Sequence, residues 1–70
     1  MMPLTMAEPG VNNFIKRVGG RPETRQFLES LGFIPGGRVS VISKIGGNLI
    51  VEVKGARVAV NRDMAAKILI

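Results

Sequence analysis

The stretch Phe27-Leu28-Glu29-Ser30-Leu31-Gly32-Phe33-Ile34-Pro35-Gly36-Gly37 reads as the end of a short helix followed by a fixed turn into a strand. With Leu31 as the last half-helical residue, Gly32 supplies the left-handed backbone that a residue with a Cβ enters reluctantly. Phe33 then falls where a Schellman cap brings it back over Leu28. Pro35 and Gly36 suit the middle of a type II turn, since proline fixes the first dihedral and glycine tolerates the positive one that follows. Leu28, Leu31, Gly32, Pro35 and Gly36 therefore form a structural motif. It is a folding joint, not a reactive centre.

Upstream of the joint, Pro22 suits the first helical position, and Glu23 places an anion in the first turn. Thr24, Phe27, Leu28 and Leu31 make an apolar-leaning face at spacings of three and four. A helix of roughly ten residues is too short to persist alone and must lie against something. Before it, Val11 to Val18 sits between Pro9-Gly10 and Gly19-Gly20 and predicts a strand. Its alternation is imperfect, and a bulge would bring Ile15 and Val18 onto one face.

Downstream, Val39 and Val41, then Leu49, Val51 and Val53, then Val58 and Val60 recur at period two. Such sets predict half-buried strands with a common inner face. Ile45-Gly46-Gly47-Asn48 and Lys54-Gly55-Ala56 predict hairpin turns. Asn61 is placed to cap a helical turn over Arg62-Asp63-Met64-Ala65. Ile68 and Ile70 then close a final strand, with Met64 filling the gap to the barrel. Short strands without long helices to cover them must curl up or leave edges open. The predicted fold is mainly β: a small barrel, one short helix after the first strand, and a C-terminal helical turn.

Seventy residues support one domain, 1–70, and folding hides only about 60% of the surface of so short a chain. No cysteine is present, so no disulfide reinforces it. The opening MMPLTMAEPG does not resemble a signal peptide, and the apolar runs are too short to cross a bilayer. A soluble cytoplasmic protein without an integral membrane segment is the natural expectation.

Ten basic residues against five acidic ones give a net charge of +5. That balance raises the odds of an anionic partner. General acid–base work needs proton carriers placed together, whereas there is no histidine and Glu8, Glu23, Glu29, Glu52 and Asp63 are scattered. Ser30, Ser40 and Ser43 have no histidine to take a proton, and the soft metal ligands are absent. The expectation is no catalytic residue, no metal site and no cofactor. Gly19-Gly20-Arg21 offers a weak phosphate nest without the lysine of a P-loop. Binding of single-stranded nucleic acid is the serious general alternative, but it needs aromatic platforms. With Phe27 and Phe33 assigned to packing, only Phe14 remains, and nucleic acid is disfavoured.

Leu28-x-x-Leu31-Gly32-x-x-Pro35-Gly36 followed by the Arg38-to-Lys44 strand resembles the ferrous iron transport protein A (FeoA) family. So do Ile15-Lys16-Arg17-Val18, Gly55-Ala56-Arg57-Val58-Ala59-Val60 and Ala65-Ala66-Lys67-Ile68-Leu69-Ile70, so that the likeness runs from about Leu4 to Ile70. Gln26-Phe27, Ala56 and Asn13 depart from the usual pattern. The resemblance implies an SH3-like β-barrel acting as a small cytoplasmic accessory to bacterial ferrous iron uptake. The partner it implies is the FeoB-type permease with its GTP-binding domain, which would hold the protein peripherally at the inner membrane. A related domain closes diphtheria-toxin-repressor-type metal regulators, but no DNA-reading helix pair precedes it here. Candidate partner contacts are Phe14 as an apolar anchor with Arg17, Arg21 and Arg25, and more weakly Arg57. Weak self-association is a further expectation, through open strand edges.

Overall fold

In the computed structural model, which describes residues 1–70, helix α1 spans Pro22–Ser30, with Pro22 in its first turn and Glu23 beside it. The joint closes as expected. Gly32, at φ +108°, donates its N–H to the Glu29 carbonyl at 3.0 Å, and Phe33 donates to the Leu28 carbonyl at 3.1 Å. Those two bonds define a Schellman cap, and the side chains it brings together, Leu28 and Phe33, are fully buried. Gly36 has φ +84°, and Gly37 donates to the Ile34 carbonyl at 2.9 Å, completing the turn. The turn is also stitched to the first strand: Gly36 donates to the Ile15 carbonyl at 2.7 Å and Ile15 to the Gly37 carbonyl at 2.8 Å.

One expectation for the helix is corrected. Phe27 is 50% exposed and does not belong to the buried face. A helix this short docks along one narrow stripe, which Leu28 fills while Leu31 and Thr24 flank it half-buried. Phe27 lies about 100° around the axis from Leu28 and stands on the rim.

The expected strand Val11–Val18 is two strands, β1 (Asn12–Phe14) and β2 (Arg17–Val18). β1 pairs with β3 (Arg38–Ile45), whereas β2 pairs with β6 (Ile68–Leu69). The change of partner falls between Ile15, bonded to Gly37, and Lys16, whose N–H reaches the Leu69 carbonyl at 2.8 Å. Both Ile15 and Val18 are thereby buried, by a break between sheets and not by a bulge. The true register shift lies in β3, between Val41 and Ser43.

β4 (Asn48–Val53) and β5 (Ala56–Asn61) complete a four-stranded sheet of order β1-β3-β4-β5, and β2-β6 forms a second sheet of two strands. Both predicted hairpins form, with pairs Ile45↔Asn48 and Val53↔Ala56 closing two-residue turns. Asn61 caps α2 (Arg62–Ala65), its Oδ1 accepting the Met64 N–H at 2.8 Å. Val39, Val41, Leu49, Val51, Val53 and Val60 point inward and are buried, and Val58, Leu31 and Met64 pack against them.

The amino-terminal segment is also structured. Pro3 bridges to Leu69, Met2 and Ile70 exchange backbone hydrogen bonds of 2.9 and 2.8 Å, and a 3-10 turn covers Leu4–Met6. Leu4 and Ala7 enter the core. Burying one leucine is worth about 1.5–3 kcal/mol, so this segment is an integral wall of the barrel.

Candidate interaction surface

Alternation along the strands that sends valines inward sends a polar row outward. The register sets Asn12 beside Ser40, Ser40 beside Glu52, and Glu52 beside Arg57. The neighbouring row pairs Phe14 with Arg38. Asn12, Arg38, Ser40, Glu52, Lys54 and Gly55 line a shallow cleft of ≈ 210 Å³ that contains no apolar side chain. Phe14 is 63% exposed at its margin. The hollow thus carries two cations, Arg38 and Lys54, and one carboxylate, Glu52, beside an exposed apolar ring.

Arg17, Arg21 and Arg25 stand elsewhere. Arg17 is on β2, Arg21 is the N-cap of α1, and Arg25 is one turn on, its N–H donating to the Arg21 carbonyl at 2.9 Å. Arg21 keeps an extended backbone as the N-cap, so the two side chains leave the start of the helix from different backbone conformations. All three are exposed. Phe14 and Arg57 thus belong to the outer face of the four-stranded sheet, and the three arginines to the second sheet and the helix that follows it. No ladder links the two groups.

Besides Arg38 and Lys54, two more residues that the sequence alone does not single out belong to these surfaces. The stem of Lys67 crosses over Gly20 so closely that a Cβ there would meet Lys67 Cδ at 2.8 Å. Lys67 Nζ donates to the Asp63 carbonyl at 3.3 Å, which holds its cation at α2 while its stem lies over Gly20. Only the pairing of Gly19 N–H with the Lys67 carbonyl at 2.7 Å reveals this, and it spans most of the chain. Phe27 is the second. Its exposure gives the surface two open rings instead of one, on separate elements.

A smaller hollow of ≈ 170 Å³ opens between Thr5, Lys44, the Gly46-Gly47 turn, Asn48, Leu49 and Arg62. Lys44 Nζ donates to the Thr5 carbonyl at 2.9 Å there, tying β3 to the amino-terminal turn. Glu8, Glu23, Glu29, Glu52 and Asp63 are all exposed, and nowhere do three or more metal-ligating side chains of the histidine, cysteine or carboxylate type gather. No helix is long and apolar enough to cross a membrane.

Comparison with known proteins agrees with this architecture. A candidate Fe(2+) transport protein A of Methanocaldococcus jannaschii is 31% identical over 70 residues, covering 100% of this chain and 85% of that one. The crystal structure of an iron uptake regulatory protein, FeoA, superposes with a TM-score of 0.86 at 30% identity over 96% of this chain and 89% of that one. Zinc-complexed FeoA of Stenotrophomonas maltophilia, described as a procaryotic SH3 domain protein, gives a TM-score of 0.86 at 23% identity, covering 99% of this chain and 88% of that one. The fold is accordingly SH3-like. The FeoA domain model matches residues 2–70, and the chain belongs to the FeoA family.

Proposed function

We propose that this protein is a non-enzymatic accessory of ferrous iron uptake that binds the cytoplasmic part of a FeoB-type permease and influences its assembly, opening or nucleotide cycle. The observation that carries the reading is the family match across residues 2–70. The surface is consistent with it. A basic body accelerates encounter with an acidic protein face, and a desolvated apolar anchor supplies lasting affinity. Phe14 is the anchor, beside Arg38 and Lys54. Arg17, Arg21 and Arg25 form the steering patch, and Arg57 extends the sheet face. On this reading the protein sits on the cytoplasmic side of the inner membrane, held there by its partner.

The test is a pull-down with the intact permease in low salt across nucleotide states. Phe14→Ala is expected to weaken retention severalfold, and Arg17→Glu and Arg25→Glu to slow association. Wild-type retention by all three folded variants sinks the contact map, and failure of the native pair to associate sinks the function. The exposed Phe27 gives the nucleic-acid alternative some support. Titration with RNA and single-stranded DNA separates the two, since polymer binding would fall steeply as salt rises. The expected result is no saturable binding at physiological salt.

A further inference from the structure

The sheet order β1-β3-β4-β5 leaves β5 with one hydrogen-bonded neighbour. Its hairpin closes on the pair Val53↔Ala56 through Lys54 and Gly55, both at positive φ. A two-residue turn of this kind closes on a hydrogen-bonded pair, after which bonded and non-bonded pairs alternate. The N–H and C=O groups of Ala56, Val58 and Val60 are therefore spent on β4. Those of Arg57 and Ala59 point away from the sheet, and neither residue takes part in any backbone hydrogen bond outside the ladders.

Proteins guard such edges with proline, bulges, covering segments or charge. β5 has no proline, and its register with β4 runs unbroken from Val53↔Ala56 to Asn48↔Asn61. The outer-face side chain midway along the open edge is only Ala59, which is exposed. Arg57 is the single charge on the strand, with Lys54 in the turn at one end and Arg62 just beyond the other. Acids are set back from the edge: Glu52 lies one strand inward, opposite Arg57, and Asp63 lies in α2.

We propose that β5 is a docking edge for an extended acidic segment of a partner protein, which adds as a fifth strand to the four-stranded sheet. Backbone groups of Arg57 and Ala59 supply the pairing that fixes the strand. Because side chains alternate across a sheet, the incoming strand places apolar residues beside half-buried Val58 and buried Val60. Its acidic residues fall on the outer face, beside Arg57 and within reach of Lys54 or Arg62. A second copy of this chain is the competing occupant. Antiparallel pairing about Ala59 would set Arg57 across from Asn61 of that copy. Two bodies each carrying +5 repel one another, however, whereas an acidic strand is attracted. The proposal concerns the edge itself and stands whether or not the permease is the partner.

The experiment uses a capped heptapeptide in which valine alternates with glutamate, and a counterpart in which lysine replaces glutamate. Binding is read by amide exchange and chemical shifts in the full-length protein at physiological salt. The glutamate peptide should slow exchange at Arg57 and Ala59, and the lysine peptide should bind at least about tenfold more weakly. Ala59→Pro removes an N–H the ladder does not use and should weaken the glutamate peptide by about tenfold or more. Arg57→Glu leaves the backbone intact and should reverse the preference toward the lysine peptide. Unchanged exchange at both amides, or undiminished binding by folded Ala59→Pro, overturns the proposal. So does protection that appears without peptide and grows with protein concentration, because a second copy then owns the edge.

Discussion

Gly32 shows how much one residue can decide. Its φ of +108° lies where an L side chain pays a steric cost, and a Cβ there would also meet Lys54 Cγ and Cδ at 3.4 Å and Val53 Cγ2 at 3.6 Å. Those contacts are tolerable; the backbone is not. Gly32→Ala is expected to destabilise the protein by about 1–2 kcal/mol, read as a lower urea midpoint with an unchanged slope. A variant as stable as wild type would mean that Phe33 can reach its site over Leu28 by another route. This position was legible because its cause is local: glycine after a helical stripe, an apolar residue next, then Pro35-Gly36. Phe27 departs from its expected place for the complementary reason. Spacing says which residues share a helix face but not how wide a stripe the barrel can accept, and that width is set by strands distant in sequence.

At the scale of elements, the hairpins were readable because each is specified by two residues and the alternation around them. β1 and β2 were not, since what divides Val11–Val18 is the partner on either side. Ile15 answers to the Pro35-Gly36 turn and Lys16 to β6, and neither neighbour is visible from VNNFIKRV itself. β5 offers the sharpest check on the pairing. Proline at Val58 deletes an N–H bonded to β4 and sets a ring inside the ladder, costing about 3 kcal/mol or more by analogy with other interior prolines. Proline at Ala59 deletes an N–H that faces solvent and should cost far less. Thermal unfolding of the two variants is expected to rank them in that order. The reverse order would show that the hydrogen-bonding phase of β5 is the opposite one, and equal losses would show that the pairing does not discriminate the two positions. The candidate site was half legible on the same logic. Phe14 and each arginine are exposed where sequence placed them, but which face each shares depends on register, and so Arg38, Lys54 and Lys67 came into view only with the fold.

For the molecule as a whole, the amino-terminal segment decides whether the barrel is complete. MMPLTMAEPG has no periodicity, two prolines and one glycine, and so gives no sign of a core element. Yet Leu4 is fully buried, Ala7 nearly so, and Met2 is bonded at both backbone groups to Ile70. A chain of 70 residues has a total stability of only about 3–10 kcal/mol, with no disulfide to supplement it. Truncating a buried leucine to alanine costs about 2–5 kcal/mol through lost transfer energy and the cavity left behind. Leu4→Ala should therefore remove a large share of the stability, whereas Met6→Ala, at a position 65% exposed, should stay within about 0.5 kcal/mol of wild type. Urea denaturation of the pair measures the difference directly. If Leu4→Ala proved as harmless as Met6→Ala, the first seven residues would be an appendage and the core would have to close without them. A large gap would make the two chain ends, joined through Met2 and Ile70, one cooperative unit with the strands between.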